Sequence, residues 1–279
     1  MKSDLHIHTW CSTGTQTPEE VIQEAISKGI GLISITDDDT MDAYQGLADI
    51  ADQYGISFIR GVQVSAIYNG DLFRLLAYDC DPENTRLQTV LQENRIVWDD
   101  MGLKVIKLLA EDYPELSAEE YISYQKNPRH GGFKYNSYTY HKGLDVSDEG
   151  WLKRLAQYRE EMTAIMRSLA FSPVEEVIEL IHDAGGYAII PGGYLRNPDT
   201  LIADVEHLVA AGLDGLEGFN PSHSAEVATT LREYAKEHQL LITGGGDGHG
   251  TYASQEKYAI GIIEINDQAL NLGTIRIYG

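Results

Sequence analysis

The sequence has few cysteines and no long apolar run. Cys11 and Cys80 are the only cysteines among 279 residues. Two are too few for a disulfide framework, and their spacing is unlike that of a zinc ribbon. No stretch of about 18 consecutive apolar residues occurs, and the first residues lack the apolar segment of a signal peptide. We therefore expect a cytoplasmic protein with reduced thiols and no membrane partner.

Positive charge is also scarce. Lysine and arginine number 21 against 43 aspartates and glutamates, which gives a formal net charge of −22. Such a chain repels phosphate backbones over most of its surface, so we do not expect it to bind long nucleic acid. The same field attracts cations, whereas a small anionic substrate needs a local positive site.

Strand and helix patterns alternate over much of the chain. The first helix has Thr17 as its N-cap, Pro18 at its first position and Glu20 to complete a capping box. A second helix is predicted over 41–54 and a last strand within 258–265. Strands that alternate with helices predict a parallel sheet with helical crossovers.

The alternation is interrupted once, by a segment of different character. Residues 82–171 are rich in helix patterns, tyrosine and charge, and the strand–helix rhythm resumes after them. We therefore predict one barrel-like α/β domain built from residues 1–81 and 172–279, with residues 82–171 as an inserted helical cap.

Four clusters of metal-type side chains follow predicted strands. In "DLHIH" alternate residues share one face of the strand, so Asp4, His6 and His8 point the same way. The other clusters are Asp37, Asp38 and Asp39 in "SITDDDT", Glu217, Asn220 and His223 in "LEGFNPSHS", and Asp247 and His249 in "TGGGDGHG". Adjacent carboxylates repel one another unless a cation binds, although capping of the next helix explains at least one of them. Imidazoles and carboxylates at strand ends predict a site for zinc, manganese or iron.

These motifs together resemble the PHP family, named for polymerase and histidinol phosphatase. The resemblance rests on "DLHIHTWCSTGTQTPEEV", "ISITDDDT", "GVQVSA", "GLEGFNPSHS" and "GGGDGHG", and on the cap segment "RHGGFKYNSY". It implies a distorted (β/α)7-like barrel with a helical cap. It also implies a metal-dependent phosphoesterase that acts on a small phosphorylated molecule or a nucleotide.

The resemblance further implies a set of metal ligands, from which this sequence departs. The first site maps to His6, His8 and Asp247, but Gln63 stands where the family has a bridging glutamate. In the second site Arg74 replaces one histidine, and the turn "IIPGG" lacks another. Neither a neutral amide nor a guanidinium can hold a second cation as those ligands do.

The third site is also altered. Thr13 is a poor ligand, Asp38 stands in place of a histidine, and His249 is kept. We therefore expect one divalent ion of zinc, manganese or iron, and at most two. The predicted ligands are His6, His8, Asp247, His249, Asp38 and Gln63.

A mechanistic hypothesis follows from the resemblance and the missing ligands. A metal-activated water attacks phosphorus, and Arg74 binds the phosphoryl group in place of the second metal. His223 is the proton donor to the leaving oxygen or a phosphate ligand, and Asp37 completes the catalytic set. The candidate substrate-binding cations are Arg129, Lys134 and Arg196, for which solvated surface positions are the alternative.

Two other functions remain open at this point. The first is a degenerate barrel that binds a phosphorylated or anionic ligand without turnover. A barrel that has lost its catalytic activity is expected to have lost metal ligands as well. A mononuclear amidohydrolase-type enzyme also uses an H-x-H pair on its first strand. The tyrosines at 135, 138 and 140 either stack a base or sugar or belong to the core of the cap.

Overall fold

The chain folds into a mixed α/β structure with two sheets. The computed structural model describes residues 1–144, 156–194, 201–252 and 257–279, without the side chain of Leu201. Among the described residues, no helix has the length and apolar character needed to cross a membrane.

The first sheet comes from the N-terminal part of the chain. Its strands β1 (Lys2–Ile7), β2 (Ile30–Ile35) and β3 (Ser57–Phe58) are parallel and adjacent in that order. The crossovers contain α1 (Pro18–Ser27) and α2 (Leu47–Tyr54). The capping box predicted for α1 is confirmed, since the Thr17 side chain accepts from the Glu20 backbone and the Glu20 carboxylate accepts from that of Thr17.

The second sheet has five strands in chain order. They are β4 (Gly61–Tyr68), β5 (Asp71–Tyr78), β6 (Tyr187–Ile190), β7 (Gly215–Phe219) and β8 (Leu241–Gly244). Three described helices accompany the last strands. α7 (Val174–Asp183) directly precedes β6, α8 (Leu201–Ala210) lies between β6 and β7, and α9 (Ala225–Glu237) lies between β7 and β8.

The prediction of parallel strands throughout is wrong for β5, which runs antiparallel to both of its neighbours. Asn69 and Gly70 join β4 directly to β5, and their φ angles of 51° and 80° are those of a two-residue hairpin turn. An Asn-Gly pair between two apolar strands favours this turn, because both residues tolerate positive φ.

Isolated bridges connect the two sheets at the ends of their strands. Ile7 bridges Gly248 in the loop after β8, and Asp38 after β2 bridges Gln63 in β4. These bridges bring the ends of β1, β2, β4 and β8 to one side of the structure, where the candidate site lies.

Two further predicted elements differ from the structure. The helix predicted over 41–54 is interrupted: a 3₁₀ turn at Asp42–Tyr44 precedes α2, and Gly46 between them has a φ of 75°. The last strand predicted within 258–265 does not form, and the described residues there are turns and bends that include Gly261 at a φ of 68°. Positive φ is incompatible with both helix and strand.

Between β5 and α7, the described residues form four helices with a core of their own. They are α3 (Thr85–Leu109), α4 (Ala118–Ser123), α5 (Lys134–His141) and α6 (Arg159–Arg167). The core under these helices includes Trp98, Val105, Tyr121 and Tyr138, all buried. This cluster gives the segment its own apolar interior.

The buried carboxylate of Asp39 connects α3 to the second sheet through hydrogen bonds. Asp39 is fully buried and accepts hydrogen bonds from the Ser65 backbone at 2.9 Å and the Ser65 hydroxyl at 2.6 Å. It also accepts from Asn94 Nδ2 at 2.8 Å and Trp98 Nε1 at 3.0 Å, both on α3. Four donors on one carboxylate satisfy its charge in a dry environment.

We expect Asp39→Asn to lower the free energy of unfolding by about 2–4 kcal/mol. Each carboxylate oxygen accepts two of the four hydrogen bonds, so the NH₂ group that replaces one oxygen leaves two buried donors without an acceptor. Asparagine is chosen because Asp39 has a φ of 49°, which alanine would strain. Denaturant unfolding measures the effect, with exposed Asp52→Asn on α2 as the control. Equal stability of the two variants would contradict this role of Asp39.

Candidate metal and anion site

The candidate site forms where β1 ends beside the glycine-rich loop after β8. The His8 backbone N–H donates to the Gly248 carbonyl at 2.8 Å, so that loop continues alongside β1. Gly245 allows the close approach, since a Cβ there would lie 2.3 Å from the backbone nitrogen of His6. Buried Asp4 fixes the loop by accepting from the Gly246 N–H at 3.0 Å.

This arrangement brings His6, His8 and Asp247 together, as the sequence predicts. Each offers one ligand atom, and the three atoms lie within 4.8 Å of one another. The Asp247 Oδ1 is 3.4 Å from the Nε2 atoms of both His6 and His8. Two imidazole nitrogens and one carboxylate oxygen form a donor set suited to zinc, manganese or iron.

The hydrogen bonding of the two histidines fits a metal ion between them. His8 is 1% exposed, yet neither of its ring nitrogens makes a hydrogen bond with the described residues. Buried polar atoms without partners are rare, and a bound cation satisfies one of them. Burial alone would lower the pKa of His6, but Glu217 and Asp247 raise it to about 10. A cation that binds His6 therefore replaces a proton on Nε2.

Glu217 on β7 orients His6 from the side opposite to the cluster. The His6 Nδ1 donates to Glu217 Oε1 at 3.0 Å, which leaves Nε2 facing the cluster. The other carboxylate oxygen accepts from the Gly192 N–H at 2.7 Å and from Asn220 at 2.8 Å. A carboxylate behind a ligating histidine fixes the ring and increases its basicity.

We expect Glu217→Gln to weaken binding of Zn²⁺ or Mn²⁺ by about 10–100-fold. The glutamine amide can still accept the hydrogen bond from His6, but it lacks the negative charge of the Glu217 carboxylate. Isothermal titration with each metal measures the affinity, and exposed Glu226→Gln on α9 is the control. Unchanged affinity in Glu217→Gln would mean that His6 does not bind the metal.

His249 lies beside the cluster but faces differently. Its ring stacks on His8 with centroids 4.2 Å apart, and its Nδ1 donates to the Asp247 carbonyl at 2.8 Å. Its remaining nitrogen is therefore the only one that can act as a ligand. The three-residue cluster of potential ligands does not include His249.

Gln63 and Asp38 are already engaged with each other and with their neighbours. Gln63 Oε1 accepts from His6 Nε2 at 3.0 Å, while its Nε2 donates to Asp38 Oδ1 at 3.1 Å. The other oxygen of Asp38 accepts from the Thr13 hydroxyl at 2.8 Å. The neutral amide of Gln63 thus links His6 to Asp38. A glutamate at position 63 would instead repel the Asp38 carboxylate.

Arg74 places a fixed positive charge in the same site. Its Nε is 3.4 Å from Asp38 Oδ1, and the centre of its guanidinium lies 5.1 Å from the Trp98 ring and 5.9 Å from that of Phe133. The ion pair and the aromatic faces hold the guanidinium in one orientation. The side chain is 22% exposed, so it remains accessible from the cavity.

These side chains line one cavity of about 500 Å³. Its wall includes all six predicted metal ligands together with Arg74. The other lining residues are Thr13, Gly132, Phe133, Tyr135, Asn136, Pro191, Gly193, Tyr194 and Tyr252. A cavity of this size accommodates a small phosphorylated molecule.

Two residues predicted to be catalytic do not line this cavity. Asp37 is buried and accepts from the Thr9 N–H at 2.7 Å, the Thr9 hydroxyl at 2.6 Å and the Ser12 hydroxyl. It therefore organises the loop after β1. His223 donates from Nε2 to the Gly192 carbonyl at 3.1 Å, and the N-cap of α9 is Ser224.

The predicted substrate-binding cations also lie elsewhere. Arg129 pairs with Glu20 at 2.6 Å on the surface, and Lys134 lies 4.8 Å from the centre of the Tyr121 ring. Neither side chain lines the cavity. Arg196 lies outside the described residues.

Tyrosines separate into different environments, which spacing alone did not resolve. Tyr135 lines the cavity, whereas Tyr138 is buried in the core of the inserted helices and Tyr140 is 53% exposed. Sequence reasoning missed Tyr194 and Tyr252, which also line the cavity. Tyr194 follows the turn "IIPGG", where the missing histidine was sought.

The sequence is similar to that of a known domain family and to those of several characterised proteins. Residues 4–269 match the PHP domain. The chain is 25% identical over 259 residues to a 5′-3′ exoribonuclease of Haemophilus influenzae, which covers 89% of this chain and 90% of that protein. It is 25% identical over 266 residues to a 3′,5′-nucleoside bisphosphate phosphatase of Chromobacterium violaceum, covering 88% of this chain and 86% of that protein.

A solved structure has a similar fold. It is that of a candidate metal-dependent phosphoesterase from Bifidobacterium adolescentis, with a TM-score of 0.76, 21% sequence identity, and coverage of 96% of this chain and 93% of that one. Because the PHP match extends over most of the sequence, this chain belongs to the PHP domain family.

Proposed function

We propose that the protein is a metal-dependent phosphoesterase that hydrolyses phosphate esters of a small molecule or nucleotide. The observation that supports this most strongly is the cluster of His6, His8 and Asp247 in one cavity with Arg74. A cation site and a fixed guanidinium side by side suit a phosphoryl group, which needs positive charge on several of its oxygens. The names of the two relatives, a nuclease and a phosphatase, also describe phosphoester hydrolysis.

The ligands support a site for one divalent ion, zinc, manganese or iron, held by His6, His8 and Asp247. Asp38, Gln63 and His249 surround the cluster, and Asp38 pairs with Arg74 in place of a second ion. Gln63 Oε1, which accepts from His6 Nε2 in this structure, gives up that hydrogen bond when Nε2 binds the ion. When bound, a divalent cation supplies Lewis-acid charge and activates water at neutral pH.

Arg74 takes the role that a second cation has in a full site. It presents N–H donors in a fixed plane, and a phosphoryl group accepts two parallel hydrogen bonds from such a fork. Asp38 and Trp98 hold the guanidinium so that it needs no reorganisation when the ester enters.

The substrate is a small phosphorylated compound. Tyr135, Tyr194 and Tyr252 give the cavity apolar faces beside its charged floor, which suits a sugar or base attached to phosphate. The net charge of −22 opposes binding of long nucleic acid along the surface.

At the level of architecture, we infer that the two sheets act as one distorted (β/α)7-like barrel. The bridges of Ile7 to Gly248 and of Asp38 to Gln63 support this by joining the sheet edges. Residues 82–171 form the cap, with the core described above, and residues 1–81 and 172–279 form the barrel. Both cysteines are free, which favours a reducing compartment such as the cytoplasm.

A substrate panel with defined metal tests the proposal. The metal-free protein is loaded with Zn²⁺, Mn²⁺ or Fe²⁺ and assayed on phosphomonoesters, phosphodiesters, lactones and amides. We expect phosphoester hydrolysis that a chelator abolishes and added metal restores. Binding of phosphate esters without turnover would favour a non-catalytic barrel instead, and activity confined to lactones or amides would favour an amidohydrolase.

A further inference from the structure

We propose that Tyr194 is the proton donor to the leaving oxygen of the ester. This inference rests on the proposed phosphoesterase function and adds a catalytic residue to it. His223, predicted from the sequence as the proton donor or a phosphate ligand, donates a hydrogen bond from Nε2 to the Gly192 carbonyl at 3.1 Å and does not line the cavity.

The turn after β6 brings Tyr194 to the site. Glu217 accepts hydrogen bonds from His6 Nδ1 at 3.0 Å and from the Gly192 N–H at 2.7 Å. The same carboxylate therefore positions both the turn and a ligand of the metal cluster. Phe73 contacts the Tyr194 ring, with centroids 4.6 Å apart, and fixes its plane. The Tyr194 side chain thereby becomes part of the cavity wall together with Arg74.

The surroundings of the hydroxyl suit a donor. Burial raises the pKa of Tyr194, while Arg74 opposes the shift through its charge and a side-chain hydrogen bond. Asp38 and Asp247 line the same cavity as Tyr194, and their charges also raise the pKa of this hydroxyl. The phenol therefore carries its proton at neutral pH, and Arg74 stabilises the phenolate that remains after transfer.

The reaction balances without any further reactant. The bond between phosphorus and the ester oxygen breaks as the oxygen of one water molecule bonds to phosphorus. The Tyr194 proton passes to the departing oxygen and makes an alcohol. The attacking water releases one proton to solvent, and the phenolate beside Arg74 takes one proton back from solvent.

Substrates with different leaving groups distinguish proton donation from binding. p-Nitrophenolate departs from a phosphate ester without being protonated, whereas the ribose oxygen of adenosine 5′-monophosphate or the alkoxide of β-glycerol phosphate needs a proton. We expect Tyr194→Phe to lower kcat on the two alkyl esters by about 10²-fold or more, but on p-nitrophenyl phosphate by less than about 3-fold. Metal content per chain should stay that of the parent protein.

Tyr234→Phe on α9, whose ring stacks on His238, is the matched control and should leave both substrate classes unaffected. Equal losses on aryl and alkyl esters, or no loss on either, would overturn the assignment of Tyr194 and leave the phosphoesterase function standing. Parent protein that hydrolyses neither the phosphomonoesters nor the phosphodiesters of the substrate panel would instead refute the phosphoesterase function, and the assignment with it.

Discussion

Asp247→Asn is expected to remove the bound metal and lower phosphoesterase activity by about 10³-fold. Asp247 supplies the one negative charge among the three clustered ligand atoms and lies 3.4 Å from both imidazoles. A cation bound only by two neutral imidazoles loses several kcal/mol of charge stabilisation, and each 1.36 kcal/mol is about tenfold in rate. Metal per chain and kcat/KM are measured on the same preparations.

Asparagine is the appropriate replacement at position 247 because the backbone there has a φ of 52°. Asparagine tolerates this conformation, whereas alanine would add strain and confuse loss of metal with loss of folding. Asp183→Asn at the end of α7, where the carboxylate pairs with Arg86 on the surface, is the control. Full metal content and activity in Asp247→Asn would exclude Asp247 as a ligand.

Arg74→Ala is expected to reduce kcat/KM on phosphate esters by about 10²–10³-fold while the bound metal is retained. The guanidinium is not among the three clustered ligands, so its loss removes anion binding and leaves the cation site intact. Arg74→Lys should recover only part of the activity, because an ammonium keeps the charge without the planar fork. Steady-state kinetics with metal analysis of each variant measures both effects.

Exposed Arg86→Ala on α3 controls for a simple loss of one positive charge. Its activity should match that of the parent protein. If Arg74→Ala kept parental kcat and KM, the guanidinium would have no part in binding the phosphoryl group. If it lost metal as well as activity, Arg74 would be supporting the ligands and not the substrate.

The sequence predicts the parts of this structure that depend on local interactions. The capping box at Thr17 and Glu20 involves residues three apart, and it sets the start of α1 as expected. Alternation in "DLHIH" likewise predicts that His6, in β1, and His8, directly after β1, point the same way. The sequence also contains a local signal for the β4–β5 hairpin, since Asn69-Gly70 favours a two-residue turn. The expectation that helices connect all strands led instead to the prediction of parallel strands.

The fate of the three adjacent aspartates depends on distant residues. Asp37 is satisfied by Thr9 and Ser12, Asp39 by Ser65 and α3, and Asp38 by Thr13, Gln63 and Arg74. These donors come from other strands and from the inserted helices. The repulsion that suggested a cation at these three residues is therefore relieved largely by hydrogen bonds and one ion pair.

Tyr194 and the surface cations show the same limit. Nothing local to Arg129 or Lys134 indicates that Glu20 or the Tyr121 ring engages the side chain away from the cavity. Tyr194 enters the site because Glu217 on a different strand holds the preceding turn. Pairings between distant segments follow from the packing of whole elements, which composition and periodicity do not specify.

The central claim is that one divalent ion lies between His6, His8 and Asp247. Anomalous scattering from crystals of the metal-loaded protein, combined with elemental analysis of the same sample, tests it most directly. The account predicts one metal ion per chain and an anomalous peak within bonding distance of both Nε2 atoms and the aspartate oxygen. A metal-loaded crystal with no peak at these three atoms, or with its peak elsewhere, would contradict it.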